Sequence, residues 1–228
     1  MSESQKDPFY IDIVVCLDAA ESMARYIDQT KQTMLKLLNQ LVDTLEEHEQ
    51  EVAQLRMKLI AFRDFGRDEE PMAESPFFTL PEQYDAFRDC LDAIETKGGG
   101  GGAQNGLEAI ALALRSDWTT GKENLRHIVW VFSADGVLPF GERAGCPGYP
   151  DGMPKSMEEF SAWWEGTDTA LAGSFDLKAV RLTAFVPQRE SWAELDQLWQ
   201  TNIVYTLAGQ ALDEGELYFA VMMMAFPY

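Results

Sequence analysis

The segment Tyr10 to Met23, YIDIVVCLDAAESM, decides the fold. Ile11 to Leu17 is nearly continuous in β-branched and apolar residues, as a parallel strand covered on both faces must be. The run stops at an acid, Asp18, passes Ala19 and Ala20, reaches Ser22 and gives way to a helical pattern. Ile27, Met34, Leu38, Leu41 and Leu45 then recur at steps of 7, 4, 3 and 4 residues, one apolar stripe opposite Lys31, Lys36 and Asp43. Asp18 and Ser22 are therefore predicted on the loop where a buried strand hands over to a helix. Open parallel sheets bind ligands in the crevice at the carboxyl ends of their strands, so oxygen-bearing side chains there are natural ion or ligand contacts.

Working outward, Leu55 to Phe62 and Phe77 to Leu80 are predicted as strands beside the first. Tyr84, Phe87, Leu91 and Ile94 make a helical stripe stopped by the glycines Gly98 to Gly102, and Leu107 to Leu114 resumes helically. His127 to Phe132 is a second buried strand, ending at Ser133 and Asp135. Residues 139–154 carry eight glycines and prolines and read as a long ordered loop or insertion. Ser156 and Glu159 have capping-box spacing and begin a helix to about Trp164; Ser191 and Glu194 begin a second through Trp199. Val180 to Val186 and Ile203 to Leu207 read as strands, and Glu216 to Phe226 as a closing helix with core-facing methionines. Such alternation predicts an α/β, Rossmann-like three-layer sandwich: a mostly parallel central sheet flanked by helices.

The 228 residues, 46% hydrophobic and 11% aromatic, suffice for one core, so a single domain over 9–228 is expected after a polar tail, 1–8. The tail has no apolar signal region and no apolar run approaches the roughly 20 residues of a membrane span, so a soluble, cytoplasmic protein is expected. Cys16, Cys90 and Cys146 form an odd set without zinc-like spacing, against a disulfide framework. Acids outnumber bases by 38 to 18, a formal charge of -20, which repels nucleic acid and anionic membranes. The acidic groups Glu46, Glu47, Glu49, Glu51 and Asp68, Glu69, Glu70 make either a solvated face or a docking surface for a basic partner protein.

With Asp18, Ser22, the glycine-rich turn and Asp135 placed on this architecture, the chain resembles a von Willebrand factor type A domain over roughly Phe9 to Phe226. In that family a D-x-S-x-S strand end, a threonine or aspartate from a loop before a middle helix, and a later Asp-Gly pair form a metal-ion-dependent adhesion site. The first motif stands here as Asp18-Ala19-Ala20-Glu21-Ser22-Met23 and the pair as Asp135-Gly136 after VWVFSA. AFRDFG, the glycine run and QNGLEAI look like the subgroup with a Y/F-R-D strand end and a G-G-G-D-x-P-E-N turn. Two ligand positions depart from the pattern: the first serine is Ala20, and the threonine or aspartate position falls on Gly101. The resemblance thus implies a degenerate site at which Asp18, Ser22 and Asp135 hold magnesium weakly, with Asp64 as a replacement ligand. Where no ion sits, Asp18 and Asp135 are expected to raise one another's pKa or to recruit a positive group, a partner's lysine or arginine or Arg63 of this chain.

Catalytic patterns fit less well. A strand-end aspartate phosphatase needs a second Asp where Ala20 stands, no Lys-Ser/Thr pair follows the glycines, and His48 opens H-E-Q-E-V without the second His of a zinc protease. His127 opens a buried strand, and no G-x-S-x-G elbow occurs. Tyr149, Trp163 and Trp164 flank the insertion as its own small core or as partner anchors, with the small core favoured. The expectation is a cytoplasmic bacterial protein-interaction module, not an enzyme. Its ligand surface comprises Asp18, Ser22, Asp64, the turn including Gly100 and Gly101, Asp135 and the loop 139–154. A magnesium-dependent version bridging to an acidic partner group, and a metal-dependent hydrolase, are the alternatives.

Overall fold

A computed structural model describes residues 7–168, 171, 173–206 and 214–225. Seven strands form one sheet: β1 (Phe9–Asp18), β2 (Val52–Phe62), β3 (Met72–Glu74), β4 (Phe78–Leu80), β5 (Asn124–Phe132), β6 (Val180–Val186) and β7 (Thr201–Tyr205). The helices are α1 (Ile27–Glu47), α2 (Tyr84–Asp92), α3 (Gly106–Leu114), α4 (Met157–Trp164), α5 (Glu190–Ala193) and α6 (Glu214–Ala225). The sheet runs β3-β2-β1-β5-β6-β7, with β4 also on β2, and is parallel except for the antiparallel β3 and β4. This is the expected α/β sandwich with a mostly parallel sheet.

The period of two along each strand divides the interior into two layers. Val14 and Cys16 of β1 face α3, α4 and Trp192 of α5, whereas Ile11, Ile13, Val15 and Leu17 face α1, α2 and α6. The predicted stripe of α1 is buried at Ile27, Met34, Leu38, Leu41 and Leu45. In α6, Ala220, Val221 and Met224 are buried against the sheet and Met222 is half-buried, so Met224 is the methionine of the run that faces the core among the described side chains. Leu207, Phe226 and residues 1–6 lie outside the described residues.

Four details differ from the sequence reading. β4 pairs with β2 and not with the first strand, and the short β3 was not anticipated. α2 ends at Asp92, so Ile94 lies past it and the glycines do not terminate it. α5 starts at Glu190 behind an extended Arg189 and passes into a 3-10 turn, Glu194–Gln197. Ser191 is consequently not a helix cap: its hydroxyl accepts from the Val137 N–H at 3.2 Å. The Ser156 cap, by contrast, accepts from Glu159 N–H at 3.2 Å, while the Glu159 carboxylate accepts from Lys155 N–H at 2.8 Å.

Strand register positions the site. Asp18 lies opposite Phe62 and Leu17 opposite Phe132, so β1, β2 and β5 end level. From β1 the chain moves first to β2 on one side and only later to β5 on the other. The crevice between β1 and β5 is therefore the topological switch point, the place where sheets of this kind hold ligands.

Candidate functional site

Asp18 closes β1 at this switch point and is fully buried. Its Oδ1 accepts from the Ala20 N–H at 2.9 Å and its Oδ2 from the Ser133 hydroxyl at 2.7 Å. Burial pushes the carboxyl up from 3.8 to about 6; the Ser133 hydroxyl and the Ala20 N–H pull it back, the nearby Asp135 charge pushes it further, and the Ala134 N–H opposes that push. The Asp135 charge, 117 positions further along the chain, thus adds a lesser push across the β1/β5 crevice to that of burial. Asp135 is half-buried, accepts from Gly136 N–H at 3.0 Å through Oδ1, and is braced through its carbonyl by the Trp192 indole at 2.8 Å.

Ser22 lies in the 3-10 turn Glu21–Met23 that follows, and its buried hydroxyl has no hydrogen-bond partner. The loop 19–21 is stitched to the glycine turn: Lys97 N–H donates to Ala19 O at 3.0 Å and Glu21 N–H to Gly98 O at 3.2 Å. Gly98, Gly99, Gly100 and Gly101 all have left-handed φ, from 61° to 72°, which L side chains rarely adopt. Close approach adds to the requirement, since a Cβ on Gly98 would lie 1.6 Å from Asp68 Oδ1 and one on Gly99 2.4 Å from Ala20 Cβ. Gly101 has nothing within 4 Å of such a Cβ. The turn is thus a close backbone approach at its start and open at Gly101.

Asp64 does not lean toward Asp18. It is buried and takes a bidentate pair from Arg143 of the insertion, at 2.6 and 3.0 Å, with Arg67 at 3.3 Å. Burial works against the Asp64 charge, but the Arg143 guanidinium outweighs it and holds the carboxyl below its ordinary range. Arg63 does not fill the cup between Asp18, Ser22, Gln104 and Asp135 either. Its guanidinium donates to three carbonyls, Ala19 at 3.0 Å, Glu70 at 2.8 Å and Glu95 at 2.8 Å. Gly100 offers only its carbonyl, which accepts from Arg67 at 2.9 Å.

Several participants were not singled out from the sequence. Gln104 is fully buried; its amide nitrogen donates to Gly99 O at 3.2 Å and Gly102 O at 2.6 Å, and its Oε1 has no partner. Its main chain is bonded to Gly136 O and Leu138 N–H, so Gln104 spans the space between the glycine turn and the Asp135 loop. Asp68, read as one of a solvated acidic group, accepts from the Gly99 and Asp64 N–H groups and shapes the turn. The insertion is anchored by Arg143 on Asp64, by Arg115 donating to Asp151 O at 2.9 Å, and by the Tyr149 hydroxyl on Oε1 of buried Glu108 at 3.0 Å; Glu108 Oε2 accepts from Asn105 at 3.0 Å. Burial pushes the Glu108 carboxyl upward. Trp163 and Trp164 are buried in the same core layer as Val14 and Cys16 of β1, and Tyr149 packs against that layer and on Phe65 at 5.2 Å, so these aromatics join the main core and do not form a separate one for the insertion.

The two histidines have structural partners. His127 is buried, bonded to Thr119 O at 2.8 Å and stacked on Trp118; His48 Nδ1 lies 2.8 Å from Thr44 O at the end of α1. Among the described residues no group of three or more His, Cys, Asp or Glu side chains is arranged to hold a metal ion. Among them, too, no helix is long and apolar enough to cross a membrane.

No protein-family model matches the chain, and no curated protein matches it. Solved structures share its fold. The pilus adhesin SpaC from Lactobacillus rhamnosus GG, in its open conformation, superposes with a TM-score of 0.54 at 10% identity, over 97% of this chain and 30% of the adhesin. Proximal thread matrix protein 1 from the mussel byssus gives 0.50 at 12% identity, over 98% of this chain and 49% of that one. The chain therefore spans 30% to 49% of the length of these structures, and at such identities the likeness is one of fold: a mostly parallel α/β sandwich.

Proposed function

We propose that this chain is a non-catalytic protein-interaction module of von Willebrand A type, which recognises its partner through the carboxyl end of the sheet around Asp18, Ser22 and Asp135. The observation that carries it is a fully buried acid at the switch point, beside a second acid, with no cationic side chain paired to it among the described residues. Buried charge without a partner costs free energy, and a protein keeps such a feature where a ligand compensates it.

A resident divalent ion fits poorly. Magnesium requires near-octahedral oxygens at about 2.1 Å. Both Asp18 oxygens already accept hydrogen bonds, Ala20 presents a methyl packed toward Gly99, and Gly101 has no side chain. That leaves the Ser22 hydroxyl, the Gln104 amide oxygen and Asp135. Hydrolysis fits no better: the hydroxyl bonded to Asp18, that of Ser133, has no histidine beside it among the described residues, since His48 and His127 are held at Thr44 O and Thr119 O.

The test is site-specific photo-crosslinking in the native host. A crosslinking residue at Gly102, where an added Cβ meets nothing, should capture a protein, and Asp135→Asn should release it. The same residue at exposed Glu123, next to the opposite ends of the strands, should capture none. Equal capture at both positions refutes the assignment of this face. Magnesium or manganese raising the melting temperature of the wild type but not of Ser22→Ala would favour the ion-bridged form instead.

A further inference from the structure

Acceptors outnumber donors around Asp18. Ser22 Oγ and Gln104 Oε1 are buried and unpartnered, and Gln104 has no exposed surface at all. The orientation of the Gln104 amide is set by its nitrogen, which is held by Gly99 O and Gly102 O, so its oxygen is an acceptor in want of a donor. It belongs to the same neighbourhood as Ala20, because a Cβ on Gly99 would meet Ala20 Cβ at 2.4 Å and Gln104 Oε1 at 3.1 Å. Four basic side chains on this face are engaged elsewhere: Arg63 on carbonyls, Arg67 and Arg143 on Asp64, Lys97 on Glu70.

A second feature adjoins the cup. Directly after Gly136, a cleft of about 270 Å³ opens between residues 137–140 and the start of α4; Leu107, Val137, Phe140 and Met157 give it an apolar part, and Lys155 and Glu194 also line it. It is continuous with the acids through Ser191, whose hydroxyl bonds Val137 N–H and lies 3.1 Å from a Cβ placed on Gly136.

We infer that the cup receives the ammonium group of a lysine on a partner protein, and that an apolar side chain beside that lysine lies in the adjoining cleft. This rests on the interaction-module reading and names the chemistry of its partner. An ammonium carries three N–H donors and no acceptor; the carboxylates and the Gln104 oxygen can only accept from it, and the Ser22 hydroxyl can turn to accept. It makes hydrogen bonds of about 2.8 Å and imposes no octahedral shell. A guanidinium fits less well, because its planar fork seeks a free carboxylate edge, and the edge of Asp18 is taken by Ala20 and Ser133. The net charge of -20 favours encounter with a basic partner over an acidic one.

The experiment is an amide NMR titration of the full chain with acetyl-Lys-Leu-methylamide at millimolar concentration, beside its Nε-acetyl-lysine and arginine counterparts and magnesium chloride. Saturable shifts are expected at Ser22, Gln104, Gly136 and Val137. The Nε-acetylated peptide should bind about tenfold more weakly, the loss of a charge-assisted hydrogen bond. Asp135→Asn should weaken the lysine peptide similarly, and Ser22→Ala, which leaves both carboxylates in place, should weaken it by a smaller factor. Equal binding of the acetylated peptide, or shifts confined to other surfaces, overturns the proposal. Magnesium moving these amides while the lysine peptide does not would overturn it and leave the interaction module standing in an ion-bridged form. Neither probe moving them, together with no crosslink from position 102, removes both.

Discussion

Replacing Asp18 by Asn should make the protein more stable at neutral pH. Burial lifts the carboxyl from 3.8 to about 6, so keeping it ionised costs on the order of 3 kcal/mol at about 1.36 kcal/mol per pKa unit. The sign follows from linkage: the folded state holds this proton more tightly than the unfolded chain. Stability is therefore lost as pH rises from the unfolded value near 4 through about 6, and the cost is complete above that. Asparagine is neutral and of the same shape. Its oxygen can accept from Ala20 N–H, and its amide can donate to the Ser133 hydroxyl, which turns to accept. Allowing about 1–2 kcal/mol for hydrogen bonds weakened by the exchange, a gain of about 1–2 kcal/mol remains. For a chain of this size that is a rise of roughly 3–6 °C in melting temperature. Urea unfolding of both proteins from about pH 4.5 to 7.5 measures it, because the difference between them isolates one titration. A variant that is less stable at the upper pH, or a difference that does not change with pH, would show that Asp18 is not held as a costly buried charge.

Arg143→Ala strips the buried Asp64 of its bidentate partner and should cost about 2–4 kcal/mol, with new proteolytic cleavage within 139–154 in limited digestion. Tyr149→Phe removes the hydroxyl from the buried Glu108 carboxylate and should cost about 1–2 kcal/mol by urea unfolding. Because the Glu108 pKa is raised, that loss should shrink toward acid pH as the carboxyl takes up its proton. Gly106→Ala would place a Cβ 2.8 Å from Trp192 and 3.3 Å from Phe62 and should cost about 1–3 kcal/mol through overpacking, visible in thermal unfolding.

The fold was legible wherever one period dominated. β1 and β5 contain continuous apolar runs, α1 carries a single stripe, and the polar residues after each run, Asp18 and Ser133, mark where the apolar sequence stops. β3 was not, because three residues after a proline carry no period. The Ser191–Glu194 spacing misled for a physical reason: the helix starts one residue earlier, and the hydroxyl is drawn to an unpaired N–H of a neighbouring loop. In the site, Asp18, Ser22 and Asp135 were readable from strand ends alone. Asp64 was placed on the right face, but its direction depends on Arg143, 79 positions away within the insertion. Gln104 was hidden because its role follows from the path of four left-handed glycines, which composition announces and whose course it does not specify.

What sets the Asp18 region apart is the contrast with the other buried charges. At the opposite end of the sheet Asp12 is equally enclosed, yet Arg56 grips both its oxygens at 2.7 Å and Thr119 N–H adds a third bond. Lys58 is paired with Glu74 at 2.7 Å, Asp64 with Arg143, and Glu108 is satisfied by Asn105 and Tyr149. The same chain therefore pairs Asp12, Lys58 and Asp64 with opposite charges, whereas Glu108, like Asp18, is held by neutral donors. At the switch point it leaves an acid without a cation, a hydroxyl and an amide oxygen without donors, and a turn in a backbone conformation open to glycine alone. Departures from local consistency concentrate at functional sites, where stability is given up for binding. Stability and recognition should accordingly move in opposite directions at position 18: the substitution that relieves the buried charge removes the attraction for a cationic partner.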